Sequence, residues 1–320
     1  METRELGKSG ISLGVIGVGC WAMGGAFWGP ADDQASVQAI QRSLDLGANF
    51  VDTAPFYGIG RSEEVVGRAI KGRREQVILA TKFGLTWNEK GNLSGHDSSR
   101  KRILQEIDDS LRRLDVDCID LYQAHWPDEN TSIEEIITTM VELQQQGKIR
   151  AIGVSNYSVE QMKESMKYCQ LDSIQPPYNM FQRDIEQEIL PFCRENNIGV
   201  VSYGPMYQGL LTGKFFLTDQ RPSDPLRSQH HELQGEKFDI NRDTILKLKE
   251  IADARGKPLP QLAINWVLAQ PGITVAICGA RNSQQAEQNI AAAEWSLDKR
   301  ELDKIEEILA ERTQRLSALE

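Results

Sequence analysis

The sequence has little of what membrane, secreted or disulfide-built proteins need. Its five cysteines are an odd number, are scattered along the chain and form no C-x-x-C pair. This pattern argues against a disulfide framework and a zinc site, and it predicts free thiols in a reducing compartment. No segment approaches the roughly 20 consecutive apolar residues that span a bilayer, and residues 1–6 lack the apolar run of a signal peptide. We therefore expect a cytoplasmic protein with no membrane span and no bound metal.

An excess of basic charge is also missing. The 36 Lys and Arg residues are outnumbered by 46 Asp and Glu residues, and the formal net charge is -10. A chain this acidic is not expected to bind nucleic acid or an anionic membrane as its main partner. Any anionic ligand must be met by local basic side chains and backbone N–H groups.

Short apolar segments alternate with amphipathic ones along the 320 residues. After a predicted hairpin over residues 1–14, strands are predicted at residues 15–19, 50–54, 77–82, 119–125, 149–155, 173–178, 198–203 and 273–279. Helices are predicted at residues 32–46, 97–114, 132–146, 185–196, 241–255, 259–269, 283–293 and 298–315, and from Ser62 and Ser158 onward. Parallel strands need crossover helices, and eight such units close a cylinder. The order predicts an α/β fold, a (β/α)8 TIM barrel with an N-terminal hairpin and extra C-terminal helices, as a single domain over residues 1–320.

The competing architecture is a doubly wound, dinucleotide-binding sheet. That fold places G-x-G-x-x-G between its first strand and the helix that follows. The loop after the first predicted strand has glycines at positions 17, 19, 24 and 25, which is the wrong spacing, and it runs on past Trp28 instead of opening a helix. We therefore interpret it as a tight loop at the mouth of a barrel.

Two connections on the carboxyl side of the strands are long, at residues 83–96 and 204–239. Long loops in compact domains usually bind ligands or act as lids. The carboxyl ends of the strands are also where barrel enzymes carry their active sites.

Four polar side chains follow or end three successive predicted strands: Asp52, Tyr57, Lys82 and His125. Each alone has an ordinary interpretation, as a capping Asp, a solvated Lys or a structural His. Together at one rim they indicate proton transfer. A free Tyr has a pKa near 10, and we expect the ammonium of Lys82 to lower it and Asp52 to hold that ammonium. His125 is then expected to orient a substrate oxygen. The set includes no obvious nucleophile or metal cage, which favours hydride chemistry supplied by a cofactor.

These residues lie in motifs that resemble those of the aldo-keto reductases. The motifs are Asp52-Thr-Ala-x-x-Tyr57-Gly58, Ala80-Thr-Lys82, Asp120-Leu-Tyr-x-x-His125, Gly153-Val-Ser-Asn156 and Gly209-Leu-Leu-Thr-Gly-Lys214. The resemblance extends from Leu6 to about residue 310 and is strongest to the bacterial enzymes and the related potassium-channel β subunits. It implies NADPH-dependent reduction of aldehydes or ketones, with small dicarbonyls such as methylglyoxal as candidate substrates. In this pattern Tyr57 is the general acid.

The resemblance also implies a cofactor site. It assigns a stacking role to Tyr203 and phosphate binding to Arg281, whose planar charged fork after a Gly-rich strand end favours NADPH over NADH. A surface salt bridge is the alternative role for Arg281. The complete predicted cofactor set is Gly19, Cys20, Trp21, Asp52, Ser155, Asn156, Gln175, Tyr203, Gly204, Pro205, Met206, Gly209, Leu210, Lys214, Gly279, Ala280, Arg281, Gln285, Gln288 and Asn289.

Aromatic residues in the mouth loops are candidates for the substrate pocket. The predicted set is Trp21, Phe56, Tyr57, Trp87, His125 and Trp126. The alternative is that such rings only plug the barrel mouth, and for Trp28 the two interpretations are equally favoured. The His230–His231 pair has no further ligands nearby in sequence and is expected to be solvated.

Two other functions remain open at this point. An NADPH-binding regulatory or sensor subunit would share the cofactor site without turning over. A Schiff-base aldolase would use Lys82, but it needs a lysine free of a carboxylate partner. The chain is expected to be a monomer or a small homo-oligomer.

Overall fold

The strands of the computed structural model include eight that close into a parallel barrel. The structure describes residues 1–25, 28–218 and 220–319. In chain order its strands are β1 (Thr3–Glu5), β2 (Ser12–Gly14), β3 (Ile16–Gly19), β4 (Phe50–Asp52), β5 (Ile78–Phe83), β6 (Leu85–Trp87), β7 (Leu93–His96), β8 (Ile119–Ala124), β9 (Ile149–Ser155), β10 (Ser173–Gln175), β11 (Gly199–Tyr203) and β12 (Ile273–Gly279). The barrel order is β3-β4-β5-β8-β9-β10-β11-β12, with β12 pairing back onto β3. The predicted (β/α)8 barrel is confirmed.

Helices cover the outside of the barrel and extend beyond it at the C-terminal end of the chain. They are α1 (Asp33–Asp45), α2 (Arg61–Ile70), α3 (Arg100–Leu114), α4 (Ile133–Gln145), α5 (Val159–Ser165), α6 (Ile189–Asn196), α7 (Gly235–Ala254), α8 (Leu259–Ala269), α9 (Ser283–Ile290) and α10 (Lys299–Ser317). Among the described residues, no helix combines the length and the apolar composition that a bilayer crossing requires.

The N-terminal hairpin closes the end of the barrel where the strands begin. β1 and β2 pair antiparallel as predicted, and Arg4 donates a hydrogen bond to the backbone oxygen of Ile273 at the start of β12. The hairpin residues Leu6, Ile11 and Leu13 are buried in one cluster with the side chains that fill the barrel interior. With this end plugged, the opposite end, at the carboxyl ends of the strands, is left to form a site.

Some predicted boundaries are wrong, each for a local reason. β10 ends at Gln175 rather than residue 178, because Pro176 and Pro177 have no N–H to donate to a neighbouring strand. Helix α2 begins at Arg61 with Gly60 as its N-cap, and not at an N-cap Ser62. The Ser62 hydroxyl is instead buried and donates to the Cys20 carbonyl.

The two long connections have structure of their own. Residues 83–96 contain an antiparallel hairpin of β6 and β7. Within residues 204–239, short 3-10 turns form at Tyr207–Thr212 and His231–Leu233, and α7 begins six residues before its predicted start at 241. Position 219 of this connection lies outside the described residues.

Candidate active site

A buried lysine at the mouth of the barrel joins the strand-end residues. Lys82 Nζ donates to both carboxylate oxygens of Asp52, at 2.8 and 2.7 Å, and to the phenol oxygen of Tyr57 at 3.3 Å. A further bond of 3.1 Å goes to the backbone oxygen of Thr53. The lysine is 0% exposed and the aspartate 3%. An ion pair this dry depends on its geometry and its added hydrogen bonds, because both charges have lost their water.

His125 completes the group that the sequence predicted. Its ring lies edge-on to the Tyr57 ring, with 5.7 Å between the ring centroids. Its backbone N–H is bonded to the Phe83 oxygen, which fixes it beyond the end of β8 next to β5. Within the described chain the imidazole nitrogens make no hydrogen bond, so they are free to meet a ligand in the mouth.

Two glycines let the loops that carry this group approach each other. Gly58, directly after Tyr57, has φ +69°, and a Cβ there would lie 2.2 Å from the Gly24 oxygen. A Cβ on Gly24 would in turn lie 2.5 Å from the Tyr57 carbonyl carbon. The loops after β3 and β4 thus pack backbone against backbone, which no larger residue permits.

Side-chain amides also hydrogen-bond the Asp52 carboxylate. Gln175 donates from Nε2 to Asp52 Oδ1 at 2.9 Å and to Gln123 Oε1 at 3.3 Å. The sequence interpretation assigned Gln175 to a cofactor and missed Gln123. Strand periodicity could have found it, because positions 121, 123 and 125 point to the same side of β8.

The site keeps Tyr57 protonated. Burial raises the pKa of the Tyr57 phenol well above its ordinary value of 10, and the charge of Asp52 raises it further. The expectation that Lys82 lowers this pKa is wrong for the protein alone, because Asp52 already pairs with the ammonium and the surroundings exclude water. Burial likewise raises the pKa of the Cys20 thiol, so this cysteine is not a thiolate nucleophile.

His125 is held in its neutral form. Burial is the main cause that lowers its pKa well below 6.5, and the nearby Lys82 and His96 lower it further. A neutral imidazole retains one N–H, which can donate to a substrate oxygen without releasing its proton to water.

A connected set of polar groups lies beside His125. Asn156 donates from Nδ2 to the His125 backbone oxygen at 3.1 Å and to Ser155 Oγ at 3.0 Å. Tyr203 donates its phenol proton to Asn156 Oδ1 at 3.1 Å, and Ser155 donates to the Gln175 backbone oxygen at 2.8 Å. The structure therefore brings together four of the residues predicted to hold the nicotinamide, and Tyr203 is only half-buried at the mouth.

The predicted loop over the cofactor has an unusual backbone. Tyr207, Gln208 and Gly209 follow one another with φ of +46°, +55° and +92°. Gly204, Met206 and Gly209 are half-buried, Pro205 is buried and Lys214 is exposed. Leu210 is fully buried in the apolar core, so it can offer a ligand only its backbone.

The predicted phosphate-binding segment follows β12. The Arg281 guanidinium donates to the backbone oxygens of Trp28 and Pro30, and within the part of the chain that the structure describes no carboxylate pairs with it. The alternative role in a salt bridge is thus not seen among those residues. Gln285 accepts from the Arg281 N–H, and Asn289 donates to the Gly279 oxygen. The remaining predicted members are Ala280, which is buried, and Gln288, which is exposed.

Aromatic rings of the predicted substrate pocket lie close to one another in the mouth loops. Trp21 lies 6.1 Å from the Tyr57 ring and 5.3 Å from the Trp28 ring, measured between centroids. The Phe56 and Trp87 rings lie 6.3 Å apart. Trp126 is 42% exposed at the rim.

No group of three or more His, Cys, Asp or Glu side chains among the described residues is arranged to hold a metal ion. Of the predicted solvated pair, His231 is exposed, but His230 packs its ring 5.1 Å from that of Tyr207 and accepts a hydrogen bond from the Glu232 N–H. His230 is therefore packed and only partly exposed, whereas His231 is exposed as predicted.

Comparison with known proteins places the chain among the oxidoreductases. The model of the Aldo/keto reductase family matches residues 15–310, and the chain belongs to this family. The match covers the whole barrel from β3 onward.

Three relatives illustrate the range within the family. The chain is 43% identical over 312 residues to aldo-keto reductase YhdN of Bacillus subtilis (strain 168), covering 97% of this chain and 94% of the relative. It is 36% identical over 319 residues to a protein of Escherichia coli (strain K12) named NADH-specific methylglyoxal reductase, covering 93% and 95%. A solved structure of a glycerol dehydrogenase from Gluconobacter oxydans superimposes with a TM-score of 0.89 at 41% identity, covering 97% of this chain and 95% of that one.

Proposed function

We propose that this protein reduces aldehydes and ketones to alcohols with NADPH, and that Tyr57 is the general acid. The observation that carries the proposal is the buried cluster in which Lys82 contacts both Asp52 and the Tyr57 oxygen, with a neutral His125 beside it. Membership of an oxidoreductase family supports a redox reaction at this cluster.

The proposed mechanism divides the reduction between cofactor and protein. When bound, a nicotinamide would supply the hydride for the carbonyl carbon. His125 donates its N–H to the carbonyl oxygen and orients it above the Tyr57 hydroxyl. Tyr57 gives its proton to that oxygen as the negative charge develops, so the C=O group becomes CH–OH and the phenol becomes a phenolate. Lys82 stabilises the phenolate until a proton returns from water, and Asp52 keeps the ammonium in place.

The chemistry of the side chains present fits a dinucleotide cofactor. Ser155, Asn156 and Tyr203 offer amide and hydroxyl groups next to the reacting cluster, suited to a nicotinamide ring and its carboxamide. At the ends of β12 and β3, Gly279 and Gly19 are paired in the barrel, and a Cβ on Gly279 would meet nothing closer than 4.0 Å. That open strand end leads to Arg281, whose charge is suited to a phosphate.

We favour NADPH over NADH because of Arg281. The Escherichia coli relative is named NADH-specific, so the choice between the two cofactors needs a direct test. An Arg281→Gln variant should bind NADPH roughly tenfold more weakly than the wild type does, the effect expected from losing a hydrogen-bonded charge partner. It should bind NADH about as well as the wild type does. Titration by nicotinamide fluorescence measures both; equal losses for the two cofactors would remove Arg281 from phosphate recognition.

The substrate class is tested by turnover. The aromatic side chains of the predicted pocket favour small or planar carbonyls, and methylglyoxal is a candidate because the Escherichia coli relative is named for it. A panel of aldehydes, ketones and dicarbonyls should be assayed with NADPH and NADH in parallel. Reduction of several members with NADPH supports the proposal. Tight NADPH binding without turnover of any member would instead support a regulatory or sensor subunit.

A further inference from the structure

The hairpin of β6 and β7 is tied to the barrel through a buried carboxylate that the proposed mechanism does not use. Glu106, on α3, is 3% exposed. Its Oε2 accepts the Gly84 N–H at 2.8 Å, and its Oε1 accepts from Arg102 Nη2 at 2.8 Å. Gly84 is the residue between β5 and the hairpin, so Glu106 holds the hairpin where it leaves the barrel.

The backbone at Gly84, where the hairpin joins the barrel, is tightly constrained. Gly84 has φ +97°, and a Cβ there would lie 2.5 Å from Ser98 Oγ. Its oxygen accepts the Asp97 N–H at 2.9 Å, which joins the two ends of the hairpin. The Glu106 carboxylate therefore acts on both ends of the hairpin through one glycine.

The same carboxylate pairs with an arginine that contacts Trp87, a residue of the predicted substrate pocket. The Arg102 guanidinium lies 5.6 Å from the centre of the Trp87 ring, a cation–π distance. Among the described residues its Nε is buried without a hydrogen-bond partner, so the Trp87 ring and Glu106 are the groups that orient it. Trp87 in turn faces Phe56 across 6.3 Å.

The tip of the hairpin has a second contact with the loop that carries the phenol. Ile59 has φ +58°, which a β-branched residue seldom adopts, and its Cδ1 would lie 3.0 Å from a Cβ on Gly91. The loop of Tyr57 is thus strained where it meets the hairpin. Strain of this kind persists only where the surroundings enforce it.

We infer that Glu106 and Arg102 are positioning residues that set the width of the substrate entrance by holding the hairpin and its Trp87 ring, so that they control access for bulky aromatic carbonyls more than for small ones. The inference rests on the proposed carbonyl-reducing function. It gives these two residues no contact with the reacting atoms.

The ion pair between Glu106 and Arg102 depends on the charge of Glu106, and the surroundings of Glu106 make that charge sensitive to pH. The charged and titratable groups that face it are Arg102 on its own helix, Glu63 from α2, which pairs with Arg113, and the Tyr122 phenol from β8. Burial is the main cause that raises the pKa of Glu106 to about 7, and Glu63 raises it further. Above that pH the carboxylate is charged and pairs with Arg102. Below it the carboxylate is protonated and the ion pair with Arg102 is lost.

The kinetic test compares a large and a small substrate. Glu106→Gln keeps an acceptor for the Gly84 N–H but loses the charge, and Arg102→Met keeps the length. For 4-nitrobenzaldehyde with NADPH we expect both variants to raise KM roughly three- to tenfold, the range for residues that act through others. The kcat and the KM for methylglyoxal should stay within about twofold.

The control variant is Glu142→Gln. It removes a carboxylate of α4 that pairs on the exposed surface with Arg100, which lies on α3 like Glu106. It should leave both KM values unchanged. Equal KM shifts for the two aldehydes in Glu106→Gln, or no shift for either, would overturn the inference.

A readout that needs no turnover separates this inference from the proposed function. In protein labelled with 5-fluorotryptophan, the Trp87 fluorine signal, assigned with Trp87→Phe, should titrate with a midpoint of about 7. The titration should be absent in Glu106→Gln and present in Glu142→Gln. A Trp87 signal that does not respond to pH, or responds equally in all variants, contradicts the inference that Glu106 positions Trp87 through Arg102. If the wild type reduces neither aldehyde, the proposed function fails while this titration still decides the inference.

Discussion

The surroundings of the Tyr57 phenol keep it protonated. Burial and the charge of Asp52 keep its pKa well above 10, although Lys82 is only 3.3 Å away. The ammonium cannot favour the phenolate strongly while Asp52 contacts it through both oxygens. In the proposed reaction the lysine acts after proton transfer, when the phenolate needs a counter-charge.

This balance predicts how the reaction depends on pH. The pKa of Tyr57 lies well above 10 and that of His125 well below 6.5, so neither group changes its protonation between these values. We expect the kcat for methylglyoxal reduction to be flat across that window. Oxidation of the alcohol needs a phenolate, and its kcat/KM should rise by up to about tenfold per pH unit. A reduction rate that falls through neutral pH would contradict the protonated phenol.

Removal of the buried ammonium should affect folding as well as turnover. Lys82→Met leaves the Asp52 carboxylate buried without its cation, which costs about 3–5 kcal/mol. Urea denaturation measures this loss. The double variant Lys82→Met/Asp52→Asn should regain much of the stability but no activity. Equal stability of the single and double variants would mean that the two charges are not coupled.

At the scale of elements, the loops after β3 and β4 position the phenol by direct backbone contact. Gly58 and Gly24 face each other at distances that exclude a side chain on either. The contact links Tyr57 to the segment that carries Cys20 and Trp21, so the position of the acid depends on the packing of that segment.

A substitution at Gly58 tests that contact. Gly58 and Gly72 have similar φ of +69° and +75°, but a Cβ on Gly72 would meet nothing within 4 Å. Gly72→Ala should therefore lose only about 1 kcal/mol, the cost of the left-handed backbone. Gly58→Ala should lose at least about 3 kcal/mol and much of its turnover, since a backbone must also move. Thermal unfolding measures both; equal losses would show that the loop contact is not tight.

The elements also show where sequence patterns lose information. The hairpin of β6 and β7 is short, polar and Gly-containing, so its strands have no apolar alternation to reveal them. Glu106 lies within the helix predicted at residues 97–114, but a buried carboxylate has no sequence signature that separates it from an exposed one. α7 begins earlier than predicted because its first turn is mostly polar and gives no periodic apolar pattern.

At the scale of the whole molecule, the barrel was predictable because eight apolar strands recur in order with helices between them. Lys82 and His125 could be assigned to one rim because strand ends in a parallel barrel share a face. The direction of the Tyr57 pKa shift could not be predicted, since it depends on how deeply the phenol is buried and on its distance from the Asp52 carboxylate. The assignment of residues 1–320 to one domain and the number of chains in the assembly stay predictions.

The most direct test of the account is a single-turnover measurement on Tyr57→Phe. Enzyme loaded with NADPH is mixed rapidly with methylglyoxal, and the loss of reduced nicotinamide absorbance is followed. We expect NADPH to bind the variant as tightly as the wild type, and the rate of hydride loss to fall at least about a hundredfold, as for a missing general acid. A variant that oxidises its NADPH at the wild-type rate would contradict the assignment of Tyr57 as the acid.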